Sequence, residues 1–374
     1  MVILALNCGS SSVKYKLFDR TKKEVIGEGV VERIGEGEHP DHKTALKAIL
    51  KDLPKISAVG HRVVHGGEKF KKSVLITDKV LKAIRDLSDL APLHNPPNII
   101  GIEAAMEVLP KVSHVAVFDT AFHQTMPEEA YLYAVPYEWY EKYGVRRYGF
   151  HGSSHQYVSR RAAEFLGKKP NEVNLITLHI GNGVSITAIK KGKSVSTSMG
   201  LTPLEGAVMG TRCGDIDPAV ILFMIEKEGF TAEQLDQILN KKSGLLGITG
   251  KYVDRRDIDK AAEAGDERCQ LARTIEASRL KKYIGAYIAV LGQVDAIVFT
   301  AGAGEKNWQL RERVCVDMDA LGLKLDRDKN AAVRAPRAEK EVSSNDSPIK
   351  ILVIPTDEES VFVEEVVKVI SEAK

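Results

Sequence analysis

Two arginines stand among glycines, where an ordinary solvated charge has little reason to be. Arg62 lies inside the largely apolar stretch Val59–Val64, just before Gly66 and Gly67. Arg212 sits in Met209-Gly-Thr-Arg-Cys-Gly-Asp215. A planar guanidinium suits bidentate recognition of carboxylate or phosphate. The competing use is a buried ion pair, to Asp119 or Asp215. The ten histidines all fall between His39 and His179. His61 and His65 flank Arg62, and His151 and His155 flank Gly152-Ser153-Ser154. That i, i+4 spacing suits zinc only on a helix. The glycines around both pairs argue for loops converging on a site instead. Most of these rings are expected to be packed or hydrogen-bonded, with two or three acting directly. Three turns rich in Gly, Ser and Asn follow apolar runs: Asn7–Ser12, Gly181–Gly183 and Gly302–Glu305. Such turns offer backbone N–H groups and hydroxyls to an anion, most often phosphate. Three in one chain point to nucleotide binding. The standard cradles are missing: Gly250-Lys251 is followed by Tyr252 with Leu245 where a P-loop needs Gly, and no G-x-G-x-x-G opens a helix after the first strand.

The elements that must carry these residues alternate between strand and helix, which is an α/β pattern. Val2–Leu6 is an apolar run, Ser12–Asp19 alternates, Arg20–Glu24 is a charged turn and Val25–Glu32 is a third strand. The succession recurs in Asn174–Ile180, Val184–Ile189, Lys190–Lys193 and Ser194–Met199. Two related halves, each opening with an antiparallel meander, are expected. Helices are expected from Asn95, as cap before two prolines, to Val108; over Ser153–Leu166; from Asp217-Pro218 to Gly229; after the Thr231/Gln234 capping box; and over Asp266–Leu291, as one long helix or two abutting ones. Asp295–Thr300 is a buried strand, 331–350 a surface loop, Ile351–Ile354 the last strand and Ser360–Ser371 the last helix.

With 374 residues, of which 44% are apolar, the chain can build two sizeable cores. Charge nearly cancels, 53 basic residues against 51 acidic, which argues against a nucleic-acid partner or a membrane surface. No apolar run reaches the ~20 residues of a membrane span. Met1–Asn7 has no basic leader and reads as no signal peptide. Four scattered cysteines without C-x-x-C are expected to be free thiols in a reducing cytoplasmic setting.

Nine stretches together resemble the acetokinase family over essentially the full length. They are Asn7-Cys-Gly-Ser-Ser-Ser-Val-Lys14, Gly60-His-Arg-Val-Val-His-Gly-Gly-Glu68, Ala91-Pro-Leu-His-Asn-Pro-Pro97, Phe118-Asp-Thr-Ala-Phe-His-Gln124 and Tyr148-Gly-Phe-His-Gly-Ser-Ser-His155. His179-Ile-Gly-Asn-Gly183, Met199-Gly-Leu-Thr-Pro-Leu-Glu-Gly206, Met209–Asp215 and Pro355-Thr-Asp-Glu-Glu359 complete the set. The resemblance implies a duplicated ribonuclease-H-like α/β fold, shared with sugar kinases, actin and heat-shock ATPases. It implies one domain of 1–121 plus 357–374, a second of 122–356, and a homodimer. The implied reaction is reversible phosphoryl transfer from ATP to acetate, giving ADP and acetyl phosphate, with Mg²⁺ or in its place Mn²⁺. Compared with the family, 31–48 is short, and Gly302-Ala-Gly-Glu-Lys-Asn307 replaces a common Gly-Ile-Gly-Glu-Asn.

Roles carry over position by position. Asn7 and Glu358 resemble the magnesium-site residues, and Lys14 a nucleotide-phosphate contact. Arg62 resembles the acetate-binding arginine, with Val64, Leu93, Phe150 and Pro203 as the methyl pocket. Asp119 resembles the catalytic acid, and His151 and Arg212 the transition-state stabilisers. His179, Ile180, Gly181, Asn182 and Gly183 match one ATP-binding stretch, Asp254, Arg255 and Arg256 a second, and Gly302, Ala303, Gly304, Glu305 and Lys306 a third. Acetate is already ionised at pH 7, so Asp119 is expected to position Arg62 or the metal rather than abstract a proton. The rivals are a propionate or butyrate kinase of the same family and, in another class, an actin-like ATPase switch, which needs no carboxylate pocket. A nicotinamide-dependent oxidoreductase is a more distant one.

Overall fold

The computed structural model describes residues 1–374 except 10, 23, 36–38, 52, 93 and 374. The chain forms two units, Met1–Gln124 with Asp357–Lys374, and Thr125–Thr356. The first contains β1 (Val2–Cys8), β2 (Ser12–Asp19), β3 (Glu24–Glu32), α1 (His42–Leu50), β4 (Ala58–Val63), β5 (Val74–Leu75), α2 (Asp78–Asp86), α3 (Asn95–Val108), β6 (Ser113–Phe118) and the C-terminal helix Glu358–Glu372. Its sheet has the order β3-β2-β1-β4-β6-β5. The meander β1–β3 is antiparallel, whereas β1, β4 and β6 run parallel.

Alternation along the three parallel strands divides their side chains between two cores. Leu4, Leu6, Cys8 and Val59 pack with Ala45, Leu46 and Ile49 of α1 and Ala104 and Ala105 of α3. Val63, Ala116 and Phe118 pack with Ile84 of α2 and Ile99 and Ile102 of α3. The other face carries Ile3, Ala58, Val115 and Val117, covered by Phe362, Val363 and Val366 of the C-terminal helix.

The second unit contains α4 (Glu128–Tyr131), α5 (Tyr137–Tyr143), α6 (Gly152–Phe165), β7 (Asn174–Ile180), β8 (Val184–Lys190), β9 (Lys193–Thr197), α7 (Ala219–Glu228), α8 (Ala232–Lys241), α9 (Gly244–Thr249), α10 (Arg255–Glu263), α11 (Glu267–Leu291), β10 (Ala296–Thr300), α12 (Ala301–Lys306), α13 (Trp308–Cys315), α14 (Arg327–Ala332), β11 (Lys340–Glu341) and β12 (Lys350–Val353). Its sheet order is β11-β12-β10-β7-β8-β9. Read from the other edge, this is the order of the first sheet, with the same strands parallel and antiparallel. Each meander even carries its bulge at the far end of the second pairing, at Leu17/Phe18 and at Ala188/Ile189. The duplicated architecture expected from the two meanders is present.

Several helix signals act as expected. Thr231 and Gln234 close the capping box of α8, Asp266 caps α11, and Gly229 ends α7 in the left-handed conformation. Three expectations need correction. Asn95 is the first residue of α3, not its cap, because its amide is spent on the backbone of His65. Gly302–Gly304 is not an open turn: Ala301, at φ 63°, bends the chain sharply out of β10 straight into α12. Residues 331–350 are not all surface loop, since β11 pairs with β12 and Val342 and Ser343 are buried. All four cysteines are free thiols. Among the described residues no helix is long and apolar enough to cross a membrane.

A neutral histidine pair sits on the α3 face of the first sheet. His114 Nε2 lies 3.0 Å from the Leu109 carbonyl, which can only accept, so Nε2 carries the proton and Nδ1 is bare. His61 Nε2 then donates to His114 Nδ1 across 3.0 Å. Burial, and the His114 charge after it, holds His61 well below its ordinary value; burial lowers His114 as well. Unfolded histidines titrate near 6.5, so below about that pH the unfolded chain binds more protons than the folded one. The pair's contribution is therefore complete above pH ~6.5 and is lost as pH falls towards the depressed folded values. Amide exchange of β4 and β6, corrected for intrinsic rates, should report opening easier by about 1–2 kcal/mol at pH 5.5 than at 7.5. A His61→Leu/His114→Leu double variant should lose most of that difference.

Candidate functional site

Three strand ends of the first unit carry the polar residues. In β1 the face of Ile3 and Ala5 continues to Asn7; in β4 the face of Ala58 and Gly60 continues to Arg62; in β6 the face of Val115 and Val117 continues to Asp119. Parallel pairing sets Ala5 beside Gly60 and Arg62 beside Val117, so all three ends fall at one edge of the sheet. The C-terminal helix reaches the same face because residue 60 is glycine. A Cβ there would overlap the Phe362 ring and stand 2.6 Å from Val366. The first residue of that helix is Glu358, and Asp357 caps it.

Arg62 donates from Nε and Nη2 to the Asp119 carboxylate, at 3.0 Å to Oδ1 and 2.6 Å to Oδ2. Asp119 itself is fixed by its N–H on the Val63 carbonyl, 3.1 Å. The pair raises the Arg62 value above its ordinary one, Asp119 being the main cause. Nη1 stays outside the pair, so the guanidinium is held through its Nε–Nη2 edge. Burial pushes the Glu358 carboxyl up to about 7; Arg62 opposes this and Asp119 and Glu359 add to it. Lys14 lies opposite Asn7 in the β1–β2 register and is exposed. Val64 lies one residue beyond β4, so strict alternation with Arg62 no longer applies to it. Its direction is set instead by Asn98, which accepts from the Val64 N–H at 3.1 Å and donates to the Cys8 carbonyl at 2.8 Å. Leu93 lies outside the described residues. Burial pushes the thiol of Cys8, next to Asn7, up to about 12, which makes it unreactive.

In the second unit His151 caps α6 with a left-handed backbone, φ 56°. A Cβ on Gly183 would lie 3.4 Å from both His151 Nε2 and Arg212 Nη1. The glycine thus lets an imidazole and a guanidinium converge on one spot. Arg212 donates to the Pro203 carbonyl at 2.8 Å and touches the Met209 sulfur; Asp215, its candidate partner, binds the Gly206 N–H and the Tyr283 hydroxyl instead. Burial lowers the Arg212 value, since no carboxylate among the described residues offsets its charge. Arg62 is therefore the neutralised arginine, and Arg212 has no carboxylate against it among the described residues. Phe150 is buried beside this loop, and the Tyr148 N–H donates to the Gly200 carbonyl at 3.0 Å, tying the Phe150 and Pro203 segments together.

The turn 181–183 ends β7 and is closed by Gly181 N–H on the Gly183 carbonyl, 3.0 Å. Asn182 accepts through its carbonyl from Gly210 N–H, 3.1 Å. His179 stacks on His151 with centroids 4.1 Å apart, and Ile180 is buried. Of the second stretch, Arg255 braces the turn, donating to the Gly181 carbonyl at 2.8 Å and to Glu276 at 2.7 Å. Asp254 caps α10 and grips exposed Arg256, whose hydrogen bond holds the carboxylate at about 2. Of the third, Gly302 and Lys306 are exposed, Ala303 is half-buried, Gly304 packs against β7, and Glu305 accepts from Thr356 N–H at 3.0 Å. Buried Arg311 donates to the Gly304 and Glu305 carbonyls, both 2.9 Å, finishing α12. Among the described residues no three or more His, Cys, Asp or Glu side chains are grouped as they would be to hold a metal ion.

Two sheets of identical order, each with polar residues gathered at strand ends, define the duplicated ribonuclease-H-like class. A family model described as the acetokinase family matches residues 2–45 and 35–364. The chain belongs to the acetokinase family. It is 60% identical over 399 residues to the acetate kinase of Geobacter metallireducens, covering 99% of this chain and 95% of that one. Against the acetate kinase of Thermotoga maritima identity is 55%, with 96% of each covered. The solved acetate kinase of Porphyromonas gingivalis superposes with a TM-score of 0.94 at 45% identity over 99% of both chains. A propionate kinase from Francisella tularensis does so with 0.91 at 42%, over 98% of this chain and 99% of that one.

The approach at residue 60 is open to a direct test. Gly60→Ala should destabilise the first unit by about 1–3 kcal/mol, because the helix that seats Glu358 must shift. Gly285→Ala, where a Cβ on α11 meets nothing, should be neutral or stabilising by up to about 1 kcal/mol. Urea titration followed by exchange at the C-terminal helix separates the two.

Proposed function

We propose that this chain transfers the γ-phosphoryl group of ATP to acetate, reversibly, giving acetyl phosphate and ADP. The observation that carries the reading is Arg62, locked by Asp119 through two of its donors, at a strand end that runs on to the small apolar residue Val64. That combination recognises a carboxylate with a short alkyl tail. An ATPase switch has no use for it. Acetate enters ionised, so no base is required; Asp119 holds Arg62 and does not take a proton. Arg212 and His151 donate to the phosphoryl oxygens, where charge spreads during transfer. Lys14, the 179–183 turn, Asp254 with Arg256, and Gly302–Lys306 serve the nucleotide. Arg255 serves it through the Gly181 carbonyl.

The donor types fit magnesium. Asn7 offers an amide oxygen and Glu358 a carboxylate that burial destabilises and a cation would restore. Mg²⁺ is commonly held by one or two carboxylates with substrate phosphates completing its shell, so a grouping of three protein ligands is not required. Bound with nucleotide, the ion would offset phosphate charge. A second copy of the chain is the proposed partner: α7 leaves Val220, Leu222, Phe223 and Ile225 exposed, an apolar face of the kind that marks interfaces.

A hydroxamate assay with acetate, propionate and butyrate tests the reading. Acetate should be preferred, by about 10- to 200-fold per added methylene. Val64→Ala should move the ratio of specificity constants towards propionate by about tenfold. Arg62→Ala should lower kcat/KM for acetate by at least about a hundredfold while nucleotide affinity changes little. Preference for propionate in the native chain would assign the acceptor one carbon longer, and no acyl phosphate from any acid would sink the kinase reading.

A further inference from the structure

Behind His151 runs a chain of hydroxyls and a second imidazole to which the reaction above gives no part. His151 Nδ1 lies 2.8 Å from Ser185 Oγ, Ser185 Oγ lies 2.7 Å from His155 Nε2, and His155 Nδ1 lies 2.7 Å from Thr177 Oγ1. Ser185, His155 and Thr177 are completely buried. Three elements supply them: α6 carries His155 four residues after its cap His151, and β7 and β8 carry Thr177 and Ser185.

A serine hydroxyl has one proton. Between two ring nitrogens it can donate to one and must accept from the other. The protonation patterns of the two neutral histidines are therefore linked. Either Thr177 donates to His155, His155 to Ser185 and Ser185 to His151, or every bond reverses. The first direction leaves the His151 proton on Nε2. The second leaves a bare lone pair there. Nε2 is the atom that shares the Gly183 approach with Arg212 Nη1. A lone pair at that spot would repel phosphoryl oxygens, whereas an N–H would join the guanidinium as a second donor.

We propose that Ser185 and His155 are positioning residues that keep neutral His151 protonated on Nε2, so that the ring donates to the phosphoryl group without needing a positive charge. This rests on the phosphoryl-transfer reading. Fixing a tautomer through a buried partner is an established way to make an imidazole competent, and its loss is costly. The chain reverses only if all its protons move together, so the orientation persists as long as both positioning residues remain.

The test combines ¹⁵N NMR of the full chain, with His151 assigned through a His151→Gln variant, and steady-state kinetics. At pH 8 the wild-type ring should show a protonated Nε2 and a bare Nδ1. Ser185→Ala should lower kcat by about ten- to hundredfold with KM for ATP and acetate within about twofold. Its kcat should also acquire a limb favoured by acid, where the imidazolium replaces the missing tautomer control. Ser185→Thr, which retains the hydroxyl, should recover most of the activity. His155→Gln, whose amide N–H can still donate to Ser185, should retain more than His155→Leu. A wild-type ring protonated on Nδ1 overturns the proposal, as does a folded Ser185→Ala variant with wild-type kcat and pH profile. Should Ser185→Ala fail to fold, the wild-type spectrum and the His155 pair decide. If the wild type forms no acyl phosphate, the kinase reading fails while the spectrum still reports the relay.

Discussion

The first unit depends on a missing side chain. Gly60 lets the C-terminal helix close to backbone distance of β4, and that single approach does two things. It covers Ile3, Ala58, Val115 and Val117 with Phe362, Val363 and Val366. It also sets Glu358 at the edge where Asn7, Arg62 and Asp119 emerge. Core and site share one constraint, because alternation along each parallel strand continues an apolar face into a polar end.

The two arginines illustrate opposite uses of one chemical group. Arg62 is neutralised by Asp119, which lowers its pull on any further anion. Arg212 is half-buried, its hydrogen bonds go to the Pro203 carbonyl and the Met209 sulfur, and among the described residues no carboxylate offsets its charge. Burying a cation this way is unfavourable until an anion arrives.

Much of the architecture was legible in the chain. Both meanders, the capping box at Thr231, the helical stretch that Asp266 opens and the family-specific stretches all stand in local sequence, because turns and caps are written over a few residues. The pairing of Arg62 with Asp119 was legible only as one of two candidates, since sequence shows neighbours along a strand but not across it. Asn95 was misread because capping chemistry and a tertiary hydrogen bond use the same amide. Asn98, Ser185 and Thr177 gave no signal: each is an unremarkable polar residue whose meaning comes from a partner far along the chain. The duplication was visible as a succession of elements, while the shared strand order needed the coordinates.

The C-terminal helix also fixes when the first unit can finish folding. Strands β1, β4 and β6 leave the ribosome early, but the helix that seals their second face comes last, after all of Thr125–Thr356. At about 5–20 residues per second the wait is on the order of 10–50 s. Throughout it Ile3, Ala58, Val115 and Val117 have no cover of their own, while the second unit, continuous in sequence, can fold as it emerges. The nascent first unit is therefore the part of this chain whose apolar sheet face waits longest for its helix, and loss of that helix would make the exposure permanent.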